Sequence, residues 1–154
     1  MSHLPVLLAN YDDDHRNATS RAIHLVCMPL ILGSIIAMVW TLPVPGTWFQ
    51  PGAFAGALMA ALAAWIFRGS RALGLGAALA FVVTGTLCWG IAAAIGMRGL
   101  LLLAIVVFVL AWIGKFIGQR FEGKHPGFLD SLVGLLIGPI WVLAKLYRRL
   151  GIAY

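Results

Sequence analysis

Long apolar runs, broken by short polar or proline-rich segments, dominate the chain. Four runs, at 22–42, 52–67, 72–96 and 100–117, approach or exceed the roughly 20 residues that a helix needs to cross a bilayer core. The first ends in Pro43-Val44-Pro45-Gly46, where proline and glycine cannot continue a helix. Lys115 lies near the end of the fourth, where a long side chain can reach the membrane surface. The pattern predicts an all-α, polytopic membrane helix bundle with about four spans.

The distribution of basic residues predicts the orientation of these spans. Of the 11 Lys and Arg residues, all except Arg98 flank the runs on the side that carries the N-terminus. Positively charged loops stay on the cytoplasmic side. We therefore expect both termini to be cytoplasmic, in a bacterial inner membrane or, for a eukaryotic chain, in the endoplasmic reticulum.

The C-terminal segment 128–148 is harder to assign. It is apolar enough to span, but Asp130 lies near its start and Gly138-Pro139 interrupts it. We expect two short interfacial or re-entrant helices, with Trp141 and Tyr147 at the level of the lipid headgroups. A fifth span is the alternative.

Composition narrows the class of protein further. The chain is 62% hydrophobic and 10% charged, with a mean hydropathy of +0.97, whereas a soluble domain carries about 25% charged residues. The net charge of +6 flanks apolar runs and forms no basic stripe, which argues against nucleic-acid binding. Cys27 and Cys88 lie inside apolar runs, so a disulfide framework is not expected. We predict one membrane domain, 1–154, with glycine-rich faces that permit a compact bundle or homo-oligomer.

Polar residues concentrate in two segments, 10–24 and 119–130. On the predicted topology both lie at the cytoplasmic ends of spans, where a site can form. Two histidines and a carboxylate with open positions suit non-haem Fe(II) and O₂ chemistry, and we list as metal-ligand candidates His15, His24, Gln119, Glu122 and His125. The alternatives are an interfacial histidine at position 24 and an ion pair of Glu122 with Arg120 or Lys124.

Three stretches of the chain carry motifs that resemble those of a known family. The first is Y-D-D-D-H-R-N-A-T-S-R-A-I-H-L-V-C-M-P, from Tyr11 to Pro29. The second is W-I-G-K-F-I-G-Q-R-F-E-G-K-H-P-G-F-L-D, from Trp112 to Asp130, and the third is L-L-I-G-P-I-W, from Leu135 to Trp141. Together with the spacing between them, these stretches cover most of the chain, in the order found in the Mpo-like membrane proteins, and the chain therefore resembles that family.

The resemblance implies a Fe(II)-dependent dioxygenase that shortens 2-hydroxy fatty acids by one carbon, as in phytosphingosine breakdown. It gives His15, His24 and Glu122 the catalytic positions. The expected partners are the lipid bilayer, a 2-hydroxy fatty acid or related acyl lipid, and O₂. Residues assigned to the substrate or to support of the ligands are Tyr11, Asp14, Asn17, Lys115 and Asp130.

The chain departs from the family pattern at three positions. Gln119 replaces a histidine, Lys115 replaces a glutamine, and Ser20 replaces an asparagine. An amide oxygen is a weaker iron ligand than an imidazole. The alternative function is therefore a catalytically altered or inactive family member that acts as a lipid-binding or scaffold protein. A transporter or channel is a third hypothesis, but the spans carry almost no ionisable residue to coordinate a cargo.

Overall fold

The computed structural model describes residues 18–46, 50–120, 123 and 128–151. Within these residues the regular secondary structure is helical: α1 (Ala18–Trp40), α2 (Ala53–Gly69), α3 (Arg71–Arg120) and α4 (Phe128–Leu150). The predicted all-α class is confirmed. Among the described helices, α1 and α3 are long and apolar enough to cross a membrane, and α2 is a shorter apolar helix of 17 residues.

The long helix α3 consists of two arms that meet at Gly96. This residue has φ 76° and ψ 169°, a backbone conformation outside the helical region that glycine adopts readily. Cys88 and Ala104, on opposite sides of Gly96, belong to one buried cluster with Ala37. In a straight helix they would lie about 24 Å apart. The arms therefore fold back on one another, as expected for the separate apolar runs 72–96 and 100–117.

Helix α1 packs antiparallel to the second arm of α3. A Cβ atom added at Gly118 would lie 3.0 Å from the His24 ring, and one at Gly114 would lie 2.7 Å from Sγ of Cys27. Farther along α1, Ala37 packs with Leu100 and Ala104. The N-terminus of α1 and the C-terminus of α3 thus lie at one end of the bundle, which we call the His24 end.

Helix α2 brings the turn between α2 and α3 to the same end. The Trp40 ring, at the C-terminus of α1, packs on Gly52 at the N-terminus of α2. The two helices therefore run antiparallel, and Arg68 and Arg71 lie at the His24 end while Arg98 lies near Gly96 at the other end. Arg68 and Arg71 therefore lie at the opposite end of the bundle from Arg98.

The structure corrects the prediction of two short helices in the C-terminal segment. Helix α4 continues through Pro139. Gly138 packs on Met28 of α1, since an added Cβ would lie 2.7 Å from Sδ, and the Tyr147 hydroxyl donates a hydrogen bond of 3.0 Å to the carbonyl of Ala72. Proline removes one helical hydrogen bond, and this tertiary packing offsets the loss.

Trp141, which the sequence predicts at the level of the headgroups, is enclosed by the other helices. Its side chain is fully buried in the largest hydrophobic cluster, to which all four helices contribute. Ile36, Ala55, Leu73 and Ala144 pack in the same cluster. Trp141 therefore anchors α4 to the bundle.

The outer surface of α3 is strongly apolar. Large side chains are more than half exposed along both arms, among them Leu79, Trp89, Leu102 and Leu110. Soluble monomers rarely expose a contiguous apolar surface of this extent. The bundle thus presents to its surroundings a surface that hydrocarbon solvates better than water.

Candidate active site at the His24 end

His24 lies on the face of α1 that packs against α3, and only 1% of its surface is exposed. Its Nδ1 lies 2.9 Å from the backbone carbonyl oxygen of Ser20 and 3.3 Å from the Ser20 hydroxyl. A carbonyl oxygen can only accept, so the neutral imidazole carries its proton on Nδ1. The lone pair is then on Nε2. Metal-binding histidines usually have this arrangement, in which one nitrogen donates to a carbonyl and the other binds the ion.

Two glycines of α3 let the imidazole approach the helix backbone. Gly118 faces His24, with an added Cβ 3.0 Å from Cε1 and 3.1 Å from Nδ1, and Gly114 faces Cys27. The spacing G-K-F-I-G is a small-xxx-small pattern, which in membrane helices marks close contact. The glycine-rich faces predicted from the sequence did not include this pair, although its spacing was visible.

Lys115 lies between these two glycines on α3 and is only 2% exposed. The sequence suggested that its side chain reaches the membrane surface, but the structure buries it. Its Nζ lies 4.4 Å from the centroid of the Trp112 ring, a cation–π distance. A buried lysine in a membrane helix generally has a functional partner.

The indole nitrogen of Trp112 is in an unusual environment. This atom, Nε1, is buried and has no hydrogen-bond acceptor in the part of the chain that the structure describes. The ring lies between Phe108 and Phe116, with centroid distances of 5.9 and 5.4 Å. Buried donors of this kind are rare in native proteins, so the atom indicates a place where a further group could accept a hydrogen bond.

Gln119 follows Gly118 directly, at the C-terminal end of α3, and is half-buried. The structure therefore brings three sequence-predicted residues, His24, Lys115 and Gln119, to one end of the α1–α3 interface. Their association follows from the antiparallel packing of α1 on the second arm.

Comparison of the sequence with models of known protein families identifies the family of the chain. The model described as 2-hydroxy-palmitic acid dioxygenase Mpo1-like matches residues 1–150. The chain belongs to this family. The resemblance inferred from the signatures is confirmed over nearly the whole length of this Mpo1-like protein. No curated protein and no solved structure matches the chain.

Several predicted site residues of this Mpo1-like chain lie outside the described part of the structure: Tyr11, Asp14, His15, Asn17, Glu122 and His125. Asp130 lies in the first turn of α4, and its side chain is likewise not described. Within the described ranges, no group of three or more His, Cys, Asp or Glu side chains could hold a metal ion. Of the predicted ligands, the structure describes the positions of His24 and Gln119, and Nδ1 of His24 lies 2.9 Å from the Ser20 carbonyl oxygen.

An apolar cavity of about 230 Å³ lies elsewhere in the bundle, between α1, α2, α4 and the first arm of α3. Pro29 and Gly33 of α1 line it, together with Pro139 of α4. On a helix these α1 residues lie about 140° and 180° from His24. The cavity is therefore on a different side of α1 from the candidate site.

Proposed function

We propose that this Mpo1-like protein is a membrane-embedded, Fe(II)-dependent dioxygenase that shortens 2-hydroxy fatty acids by one carbon. The observation that carries the proposal is the family match over residues 1–150. The buried His24, with Nδ1 held by the Ser20 carbonyl at 2.9 Å, is the structural feature that supports it.

The proposal includes four membrane crossings, by α1, α2 and the two arms of α3, with both termini cytoplasmic. Helix α2, of 17 residues, is about 26 Å long, close to the thickness of a bilayer core of about 30 Å. The position of Arg68 and Arg71 at the His24 end, opposite Arg98, supports this orientation. The site then lies at the cytoplasmic headgroup level, where the acid head of an acyl substrate resides.

In this proposal the chain's residues hold iron and orient the substrate. His24 offers Nε2 as a ligand, with His15 and Glu122 as the other proposed ligands and Gln119 and His125 as further candidates. Fe(II), when bound, would supply Lewis acidity and a redox-active centre for O₂, while the substrate would supply the electrons that reduce O₂. The close packing of α1 on Gly118 fixes the imidazole and excludes water from one side of it.

Gln119 favours a second candidate function. Because glutamine replaces the histidine of the family pattern, the chain could bind the acyl lipid without oxidising it. This candidate predicts binding of 2-hydroxypalmitate without O₂ consumption and without retained iron.

Turnover of 2-hydroxypalmitate tests the proposal against this candidate. The purified protein, supplied with Fe(II) and O₂, is expected to convert 2-hydroxypalmitate to a product one carbon shorter, detected by mass spectrometry together with O₂ uptake. The matched substrate 3-hydroxypalmitate, which has no hydroxyl next to the carboxyl group, should be unchanged. Absence of product from both acids would reject the dioxygenase.

A further inference from the structure

We propose that Lys115 and the indole N–H of Trp112 form the binding site for the substrate carboxylate, an inference that rests on the proposed function. The Lys115 side chain is only 2% exposed and lies one helical turn from Gly118, on which His24 packs. A carboxylate recognised by these groups would have its 2-carbon near the candidate iron ligand.

The hydrogen-bonding capacity of the two residues supports this assignment. An ammonium has three N–H donors, so Lys115 can donate to an anion and to a group of the chain at the same time. The Trp112 Nε1–H, buried and without an acceptor among the described residues, adds a donor beside the ammonium, since Nζ lies 4.4 Å from the ring centroid. Hydrogen bonds to a carboxylate are stronger when the donor is charged and when water is excluded from the site.

The surroundings of the pair fit an acyl acid that arrives from the bilayer. Trp112 lies in an aromatic row with Phe108 and Phe116, and Phe116 is 56% exposed on the outer surface of α3. Ile113 and Ile117 on the same arm are about half exposed. An acyl tail can lie along this apolar surface while its carboxylate reaches the buried donors. Phosphate of an anionic phospholipid has the same charge, and the experiment must separate the two.

The test compares the affinity for 2-hydroxypalmitate with that for its uncharged methyl ester, using the full chain in phosphatidylcholine nanodiscs with empty nanodiscs subtracted. We expect the wild type to prefer the acid about tenfold or more, because hydrogen bonds to a buried charge are strong. Lys115→Met should bring the acid-to-ester ratio close to one. Lys115→Arg should keep most of the preference.

Lys145 provides a matched control. Its Nζ also lies 4.4 Å from a tryptophan centroid, that of Trp141, so Lys145→Met removes an equal charge and an equal cation–π contact on α4. The acid-to-ester ratio of this variant should equal that of the wild type. Trp112→Phe keeps a ring beneath the ammonium and removes only the N–H, and it should lower the ratio about fivefold. If Lys115→Met does not fold, this variant decides the question.

Three outcomes would overturn the inference. The first is an unchanged ratio in Lys115→Met or, where that variant does not fold, in Trp112→Phe. The second is a loss of co-purified phosphatidylglycerol in Lys115→Met with unchanged binding of the acid, which would assign the site to a phospholipid phosphate. The third is no binding of either ligand by the wild type, which would reject the proposed function as well. Turnover together with an unchanged ratio would support the dioxygenase and reject the carboxylate site. A ratio that depends on Lys115, without O₂ uptake, would support the carboxylate site and reject the dioxygenase.

Discussion

Gly118→Ala is the change that most directly perturbs the contact between α1 and the site. The added methyl group would lie 3.0 Å from Cε1 and 3.1 Å from Nδ1 of His24, and 3.2 Å from Cγ2 of Ile23. These distances are shorter than ordinary carbon contacts of about 3.5–4.0 Å, so the imidazole or the helix must move by several tenths of an ångström. His24 is fully enclosed, and the shift would strain its hydrogen bond to Ser20.

Two opposing effects determine how much Gly118→Ala changes the free energy of unfolding. Overpacking of a close interface costs about 1–3 kcal/mol, while replacing glycine by alanine inside a helix contributes about 0.5–1 kcal/mol of stability. Gly90→Ala isolates the second term, since Gly90 is on the same helix and an added Cβ would meet no atom within 4 Å. We therefore expect Gly90→Ala to be neutral or stabilising, and Gly118→Ala to be less stable than Gly90→Ala by about 1–3 kcal/mol.

The two variants are compared by equilibrium unfolding in mixed detergent micelles and by titration with Fe(II) under anaerobic conditions. Gly118→Ala should also bind iron at least several-fold more weakly, because its altered imidazole is the proposed ligand. Equal stability and equal iron affinity of the two variants would refute the reasoning that the Gly118 contact positions His24.

The remaining predictions concern α4 and the histidine itself. Trp141→Ala should lower the free energy of unfolding by about 3–5 kcal/mol, because the side chain is fully buried. Trp89→Ala, at a site 67% exposed, should change it far less. Equal losses in unfolding experiments would show that α4 does not dock as described. Tyr147→Phe should lose about 0.5–1.5 kcal/mol by removing the hydrogen bond to Ala72, and hydrogen exchange at the start of α3 should rise; unchanged exchange would contradict that contact. His24→Ala should lose iron and turnover, whereas Ser20→Ala, which keeps the carbonyl that accepts from Nδ1, should retain both; iron retained by the His24 variant would exclude His24 as a ligand.

The sequence predicted those parts of the fold that depend on local pattern. The apolar run 22–42 and its proline-glycine end correspond to α1, and the segregation of Arg68 and Arg71 from Arg98 corresponds to the two ends of the bundle. The break of the C-terminal segment into two helices was predicted wrongly because Gly138-Pro139 is a local helix breaker. Tertiary contacts that no local pattern reveals, of Gly138 with Met28 and of Trp141 with the core, keep that helix continuous.

The candidate site was predictable only in part. His24 shares its buried face with Cys27 and Met28, as their spacing of three and four residues implied. The burial of Lys115 was not predictable, because a lysine near the end of a span can equally well extend to the surface. The orientation of the His24 ring depends on the carbonyl of Ser20, a backbone group that no side-chain pattern encodes.

The central claim, that iron is held at the His24 end, is tested most directly by the metal content of protein purified anaerobically in detergent, measured by elemental mass spectrometry. We predict near-stoichiometric iron in the wild type and its loss in His24→Ala. Absence of bound metal from the wild type, even after addition of Fe(II) under anaerobic conditions, would contradict the claim and favour the non-catalytic lipid-binding protein.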